Sequence, residues 1–352
     1  MYFYTTCLPA GRLMKLNKNI KIFLNYFLGP IIFFWLSYSI YNQVKHQHNL
    51  EQSWLQIKQS FNSPLVINLI AVVLLMFVNW SLEAMKWKLS VQRVQPVSFF
   101  KSFKAILSGV SFSVTTPNRM GEYLGRVLYM EEGNRLRVIS LSILGSISQL
   151  MITLTFGLLG LLILKPRIIE AGLLAWPTWI NLIVFGCTAV LLVLTVFYFN
   201  LKWLAQWIDK LPGIRKYAYL FSELEKINAT LLLQLLSLSS MRYLVFGIQY
   251  YLLFRFFGVE VSWWQGFWAT GVTFLVLAII PTVALVELGV RGEISLKMLG
   301  LFSTNNLGIG FASTTIWFIN LVVPAVIGSL LILSIKIFMK RNERSERISP
   351  DN

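Results

Sequence analysis

Six apolar segments, each about as long as a bilayer is thick, constrain this chain more than any other feature. A hydrocarbon core of about 30 Å needs roughly 20 helical residues. The segments are 22–41, 64–85, 139–164, 179–199, 230–254 and 310–339. Because lipid offers backbone N–H and C=O groups no partner, each is predicted to be a membrane-spanning α-helix. The composition agrees, with 56% hydrophobic and 13% charged residues. We therefore expect an all-α polytopic membrane protein.

Two further apolar stretches, 98–117 and 264–286, are interrupted by proline and small polar residues. The first carries Lys101 and Lys104 at one end and several Ser and Thr at the other. Broken backbone persists at membrane depth only where protein or a wet cavity surrounds it. We predict that both stretches are re-entrant helical hairpins. The expected fold is six full spans plus two re-entrant hairpins.

The distribution of Lys and Arg predicts the orientation. With six crossings and both termini cytoplasmic, inside segments, among them 86–104 and 119–137, hold 23 of the 31 basic residues. Outside loops hold five, namely Lys45, Lys58, Lys165, Arg167 and Lys297. This asymmetry is the one that the positive-inside rule requires. The net charge of +16 is then explained by loops near anionic headgroups, not by nucleic acid. We expect a multi-pass protein of the bacterial inner (cytoplasmic) membrane.

A repeat emerges when the sequence is compared with itself at an offset of 164 residues. VSFFKSFKA at 97–105 then lies over VSWWQGFWA at 261–269. Chance similarity between apolar segments is the alternative, but Pro117 also falls on Pro281 and Gly125 on Gly289. The copies, about 64–164 and 230–339, start three crossings apart, so they have opposite orientation. An inverted repeat is predicted, with the substrate site at its interface near the midplane and the hairpin tips meeting there.

Charged residues cluster where the hairpins end. TTPNRMGEYLGR spaces three charges three and four residues apart, PTVALVELGVRGE spaces two by four, and a lone arginine lies at the centre of the fifth span. Such spacings place each set on one helix face. Ionisable groups at this depth indicate function, although structural ion pairs are the alternative. The substrate-binding candidates are Arg119, Glu122, Arg126, Arg242, Glu287 and Arg291. The hairpins' structural candidates are Pro117, Gly121, Gly125, Pro281 and Gly289.

Other polar residues give weaker signals. Interhelical hydrogen bonding is the commoner use of polar side chains in spans, and lining a path is the alternative. Cys7 and Cys187 are far apart, and His46 and His48 lie in a polar segment, so we expect no disulfide framework, metal, cofactor or catalytic residue. The polar candidates in the spans are Asn79, Glu83, Gln149, Gln234, Gln249 and Asn320.

The sequence TPNRMGEYLGR, followed about 160 residues later by an E-x-G-x-R element at 287–291, resembles the flippase-like membrane domain of lysylphosphatidylglycerol synthases. That domain forms the N-terminal half of multiple peptide resistance factors and also occurs alone. The resemblance covers about residues 15–340, and Pro117, Arg119, Gly121, Glu122 and Arg126 carry its most specific part. It implies lipid translocation. Since the chain stops at Asn352 without the synthase half, we expect no aminoacyl-lipid synthase activity.

We therefore expect a flippase-like translocator of a phospholipid or a polyprenyl-phosphate-linked lipid, and not an enzyme. A separately encoded lipid-modifying enzyme is a possible partner, and nucleic acid is not. A membrane glycosyltransferase-like enzyme and a non-transporting subunit of an envelope-assembly complex stay open as alternatives. Residues 1–13 are expected to be a non-native or disordered leader before an initiator at Met14. The membrane domain would span 14–340, and 341–352 would form a basic cytoplasmic tail.

The charge asymmetry makes the topology testable. Single cysteines placed in 203–226 or after Lys340 should react with impermeant reagents only from the cytoplasmic side. Cysteines placed in 45–60 or 295–305 should react only from outside. Labelling of the tail from outside would contradict both the six crossings and the inverted repeat.

Overall fold

The described part of the chain is helical. The computed structural model describes residues 29–47, 50–114, 116, 119–173, 178–201, 203, 224, 227–281 and 283–334, and these ranges contain no β-strand. The helices are α1 Gly29–Lys45, α2 Leu50–Phe61, α3 Val66–Val91, α4 Phe99–Ser113, α5 Gly121–Val127, α6 Arg135–Glu170, α7 Thr178–Phe199, α8 Ala229–Phe256, α9 Trp263–Ile279, α10 Ala284–Leu299 and α11 Asn306–Ser334.

Five of these helices are long and apolar enough to cross a membrane, namely α3, α6, α7, α8 and α11. They coincide with five of the six predicted spans, which confirms a multi-pass helical membrane protein. The first predicted span, 22–41, overlaps α1, but its beginning lies outside the described residues. The count of six therefore stays a prediction. The expected leader (1–13) and tail (341–352) also lie outside the described residues.

Three boundaries differ from the prediction. The segment 45–60, predicted as an outside loop, contains α2. The segment 295–305 begins inside α10, whose last turn carries Lys297 bonded to Glu293. Helix α3 continues past residue 85 to Val91, which buries Lys86 inside the protein. The helix can continue there because Lys86 finds an anionic partner one turn earlier, so this lysine does not belong to a cytoplasmic loop.

Two serines begin equivalent helices at the predicted repeat offset. Ser98 precedes α4 and accepts a hydrogen bond from the Lys101 N–H, while Ser262 precedes α9 and accepts one from the Gln265 N–H. Both serines have extended backbones, with φ near −70° and ψ near 158°. A serine at this position satisfies an N–H group that the helix itself leaves unpaired.

The short helices pack as two pairs, α4 with α5 and α9 with α10. Glycines permit the first contact, because a Cβ on Gly121 would lie 2.2 Å from the Phe112 carbonyl oxygen. A Cβ on Gly125 would lie 2.4 Å from the Gly109 nitrogen. Both glycines therefore lie at the helix–helix contact of the first pair, and their role in a re-entrant hairpin stays a prediction.

The two halves of the chain exchange similar contacts. The first half is α3 to α6 and the second half is α8 to α11. Helices α3 and α8 pack together at the centre, and α6 packs along α9. Reciprocally, the Ser329 hydroxyl of α11 lies 2.6 Å from the Ser111 hydroxyl of α4. The terminal helix of each half thus lies on the first short helix of the other half.

Of the other hairpin candidates, Pro281 lies exposed between α9 and α10, and Gly289 is buried within α10. Pro117 lies outside the described residues. The inverted relation of the halves and the re-entrant path of the short helices stay predictions.

The glycine contact in the first helix pair gives a stability prediction. Gly125→Ala should destabilise the protein by about 1–3 kcal/mol, because the new Cβ would overlap backbone atoms that cannot move aside. The matched control is Gly186→Ala on α7, where an added Cβ meets nothing within 4 Å. This control should be neutral or stabilising by up to about 1 kcal/mol. Thermal unfolding of the full chain in detergent measures both, and equal midpoints would contradict the packing described.

Candidate functional site

In the second helix pair, an ion pair joins two residues of α10 that are one helical turn apart. Glu287 and Arg291 lie on the same face of α10, and Arg291 Nη2 donates to Glu287 Oε1 at 2.6 Å. Arg291 Nη1 also donates to the Tyr250 hydroxyl on α8 at 2.9 Å. Its guanidinium lies over the Phe274 ring, 5.6 Å from the centroid. The arginine is therefore held by three elements at once.

Arg119 joins the two helix pairs. It lies just before α5 with φ of 57°, a left-handed conformation that costs a non-glycine residue on the order of 1 kcal/mol or more. Its Nη2 donates to both carboxylate oxygens of Glu287 at 3.0 Å. The tip of the first pair is thereby bonded to the start of α10. Its side chain is 40% exposed, the most accessible of the arginines at this site.

A single carboxylate, that of Glu83 on α3, accepts bonds from three cations. Arg126 Nη2 donates to its Oε1 at 3.1 Å, and Arg242 Nη1 donates to its Oε2. The Lys86 ammonium lies 2.7 Å from the same Oε2. Because α3, α5 and α8 each contribute a charge, this carboxylate connects the two halves of the chain.

The two arginines around Glu83 have further partners. Arg126 Nη2 also donates to Glu122 Oε2 at 2.8 Å, one turn earlier on α5. Arg242 Nε donates to Asn79 Oδ1 at 2.8 Å, and Arg242 Nη1 donates to Gln149 Oε1 at 3.4 Å. Such satisfaction is needed because an unpaired buried charge costs several kcal/mol.

These charges form two groups that are named below. The Glu83 cluster consists of Glu83, Lys86, Glu122, Arg126 and Arg242. The Glu287 cluster consists of Arg119, Glu287 and Arg291. Together they contain all six of the substrate-binding residues predicted from the sequence.

A chain of amides beside the Glu83 cluster connects three long helices. Asn79 on α3 donates to Asn320 on α11 at 3.4 Å, and Asn320 donates to Gln249 on α8 at 3.2 Å. Gln249 in turn donates to the Val72 carbonyl at 2.9 Å. These residues make the interhelical bonds expected of polar groups in spans. Gln234, in contrast, is exposed on the surface of α8.

Both clusters border one cavity of about 620 Å³. Every cluster member except Arg126 lines it, and Arg126 lies behind Glu83 and Glu122. The rest of the lining is mixed and comes mainly from α6, α8, α9 and α11. Its polar side chains include Ser146, Gln149, Thr153 and Asn320, and its apolar side chains include Leu150, Phe246, Phe274, Leu277, Ile279, Ile280 and Leu321. The cavity lining therefore combines charged, polar and apolar side chains.

Sequence reasoning missed the two central residues of this site. Glu83 was ranked among the weaker polar candidates, and Lys86 was assigned to a cytoplasmic loop. The available signal was their three-residue spacing, which places both on one helix face and allows an ion pair. In the ranges that the structure describes, no three His, Cys, Asp or Glu side chains group so that they could hold a metal ion.

Comparisons with known proteins agree with this architecture. The model of the family described as lysylphosphatidylglycerol synthase TM region matches residues 27–328. Among curated proteins, none matches the chain. The matched range contains all of the helices from α1 to α10 and both charged clusters, and it extends into α11. The chain belongs to the family of lysylphosphatidylglycerol synthase transmembrane regions.

Proposed function

We propose that this chain moves a phosphate-bearing lipid between the leaflets of the inner membrane, without catalytic activity of its own. The observation that carries the proposal is the cavity lining, which combines three arginines, Arg119, Arg242 and Arg291, with many apolar side chains. A lipid has the same combination, with a charged headgroup and hydrocarbon chains. The family membership supports a role in membrane lipid metabolism.

The mouth of the cavity supports entry from the bilayer. Ile279 and Ile280 line the cavity and are 51% and 40% exposed. Met120 and Leu124, one turn apart beside Arg119, are 64% and 56% exposed. Apolar surface of this kind is stable in contact with hydrocarbon. A lipid could therefore place its headgroup near Arg119 while its chains stay in the membrane.

Arginine and carboxylate exchange supplies a mechanism for headgroup capture. Guanidinium forks bind carboxylate and phosphate oxygens in the same two-point geometry. Glu287 now occupies the oxygen position between Arg119 and Arg291. An arriving phosphate takes the place of this carboxylate, so the arginines change partners without ever being left unpaired.

The contacts between the halves support an inverted repeat whose cavity opens alternately to the two sides of the membrane. The serine caps recur at the predicted offset, and each half carries a Glu and an Arg four residues apart on its second short helix. Helix α4 has 15 residues and α9 has 17, which at about 1.5 Å each is shorter than a hydrocarbon core of about 30 Å. These lengths favour re-entrant hairpins whose tips meet at the site.

Two features of the proposal concern energy and partners. The sequence contains no G-x-x-x-x-G-K phosphate-binding loop, so uphill transport would need an ion gradient, and downhill scrambling needs none. A separately encoded enzyme would make or modify the lipid.

Cytoplasmic termini follow from the distribution of basic residues. Lys86, Arg119 and Arg126 leave the inside count because they belong to the buried site, yet 20 inside residues still face five outside.

Substitutions at the Glu287 cluster distinguish capture of a lipid headgroup from a purely structural role of the ion pairs. Arg119→Lys and Arg291→Lys keep the charge but lose the two-point fork, so lipid flipping in proteoliposomes should fall about tenfold or more while folding persists. Arg119→Gln should abolish flipping. The matched control, Arg135→Gln, breaks an exposed pair with Glu132 at 3.4 Å and should leave flipping unchanged.

The triple variant of Glu287→Gln with Arg119→Gln and Arg291→Gln, which removes the carboxylate together with both arginines bonded to it, provides the contrary outcome. Removing both partners of a buried pair is often tolerated, whereas removing one costs about 3–5 kcal/mol. If the ion pairs only brace the fold, this variant will restore both thermal stability and full transport. If the arginines capture a headgroup, the protein will be stable in detergent but inactive.

The absence of catalysis is tested separately. Purified protein incubated with lipid acceptors and either aminoacyl-tRNA or nucleotide sugars should yield no modified lipid by mass spectrometry. We expect this because no nucleophile or metal-binding constellation was recognised in the sequence. A defined lipid product would instead place the glycosyltransferase-like alternative first.

A further inference from the structure

We infer that the cavity accepts a headgroup with two negative charges, a phosphomonoester or a diphosphate, in preference to a singly charged phosphodiester. This inference rests on the proposed function and narrows its substrate class. It follows from the charges of the two clusters and from the donors around them.

The charge count leaves one excess positive charge in each cluster. The Glu83 cluster has three cations and two carboxylates, and the Glu287 cluster has two arginines and one carboxylate. Each carboxylate accepts a charge-assisted bond from an arginine, so each is counted as ionised. The count covers the described residues that line the cavity or bond directly to its lining.

Two excess charges in one partly apolar cavity repel each other and are screened less than they would be in bulk water. A ligand with two negative charges offsets both. A phosphodiester offsets only one, and a zwitterionic headgroup offsets neither. The preference should therefore follow the net charge of the headgroup as well as the presence of phosphate.

Unpartnered donors support the same ligand. Arg291 Nε, Trp80 Nε1 and Trp317 Nε1 are buried without a hydrogen-bond partner among the described residues, and all three side chains belong to the cavity lining. Arginine and tryptophan can donate but not accept. Terminal phosphate oxygens only accept, and a monoester or diphosphate carries more of them than a diester. Small shifts of the lining would let these donors reach such oxygens.

The experiment compares lipids that differ only in the headgroup. The full chain in phosphatidylcholine nanodiscs is titrated with tail-labelled phosphatidic acid and phosphatidylglycerol of identical chains, and binding is read by fluorescence anisotropy. At about pH 7.5 the phosphomonoester carries close to two charges, since its second pKa is about 6. The wild type should bind phosphatidic acid at least about tenfold more tightly.

Charge-removing variants assign the preference to the clusters. Lys86→Met removes the excess from the Glu83 cluster, and Arg119→Gln removes it from the Glu287 cluster. Each should reduce the ratio of the two affinities to about twofold or less, because one excess charge then remains. Arg135→Gln lies outside both clusters and should keep the wild-type ratio. Arg119 is 40% exposed, so its variant is expected to fold even if Lys86→Met does not.

Competition distinguishes a lipid headgroup from a soluble anion. Inorganic diphosphate should displace labelled phosphatidic acid, which would place the headgroup in the charged part of the cavity. Binding of inorganic diphosphate without binding of any lipid would overturn the lipid assignment. A wild-type ratio below about twofold would overturn the two-charge inference while lipid flipping could persist. Failure to bind or flip any lipid would refute the proposed function itself.

Discussion

A carboxylate shared by three cations is the interaction on which the rest of this structure depends. Glu83 receives Lys86 from its own helix, Arg126 from α5 and Arg242 from α8. Inside a membrane protein each of these charges alone would cost several kcal/mol, so none can be buried before the others arrive. The assembled cluster therefore requires that the two halves of the chain be packed together.

Close backbone approach makes this assembly possible. The first short pair can bring its charged tip to α3 because Gly121 and Gly125 allow α5 to lie directly on α4. A similar contact holds the last helix, where a Cβ on Gly328 would lie 2.0 Å from the Leu107 carbonyl oxygen. In lipid, where the hydrophobic effect does not drive helices together, such small-residue contacts supply dispersion energy. Packing and charge pairing thus depend on the same glycines.

The sequence predicted much of the fold because length and apolarity decide which segments can cross a bilayer. It also singled out six charged residues that the structure places in the two clusters, since helical spacing alone places Glu122 near Arg126 and Glu287 near Arg291. It could not reveal that Arg119 bonds Glu287, a contact between residues 168 positions apart. It also could not place Lys86, because a lysine at the end of an apolar run resembles a loop residue until its partner is known.

The two clusters differ in burial and in backbone strain. The Glu83 cluster is deeply buried, with side chains 2–17% exposed, and its carboxylate is held by three cations. In the Glu287 cluster, Arg119 is 40% exposed and has a strained backbone. Bonds between accessible charges are weaker and exchange more readily than buried ones. Under the proposed function, a headgroup that enters the cavity therefore meets the exchangeable pair first, while Glu83 keeps the halves together. The proposal thus assigns capture and structural integrity to different carboxylates.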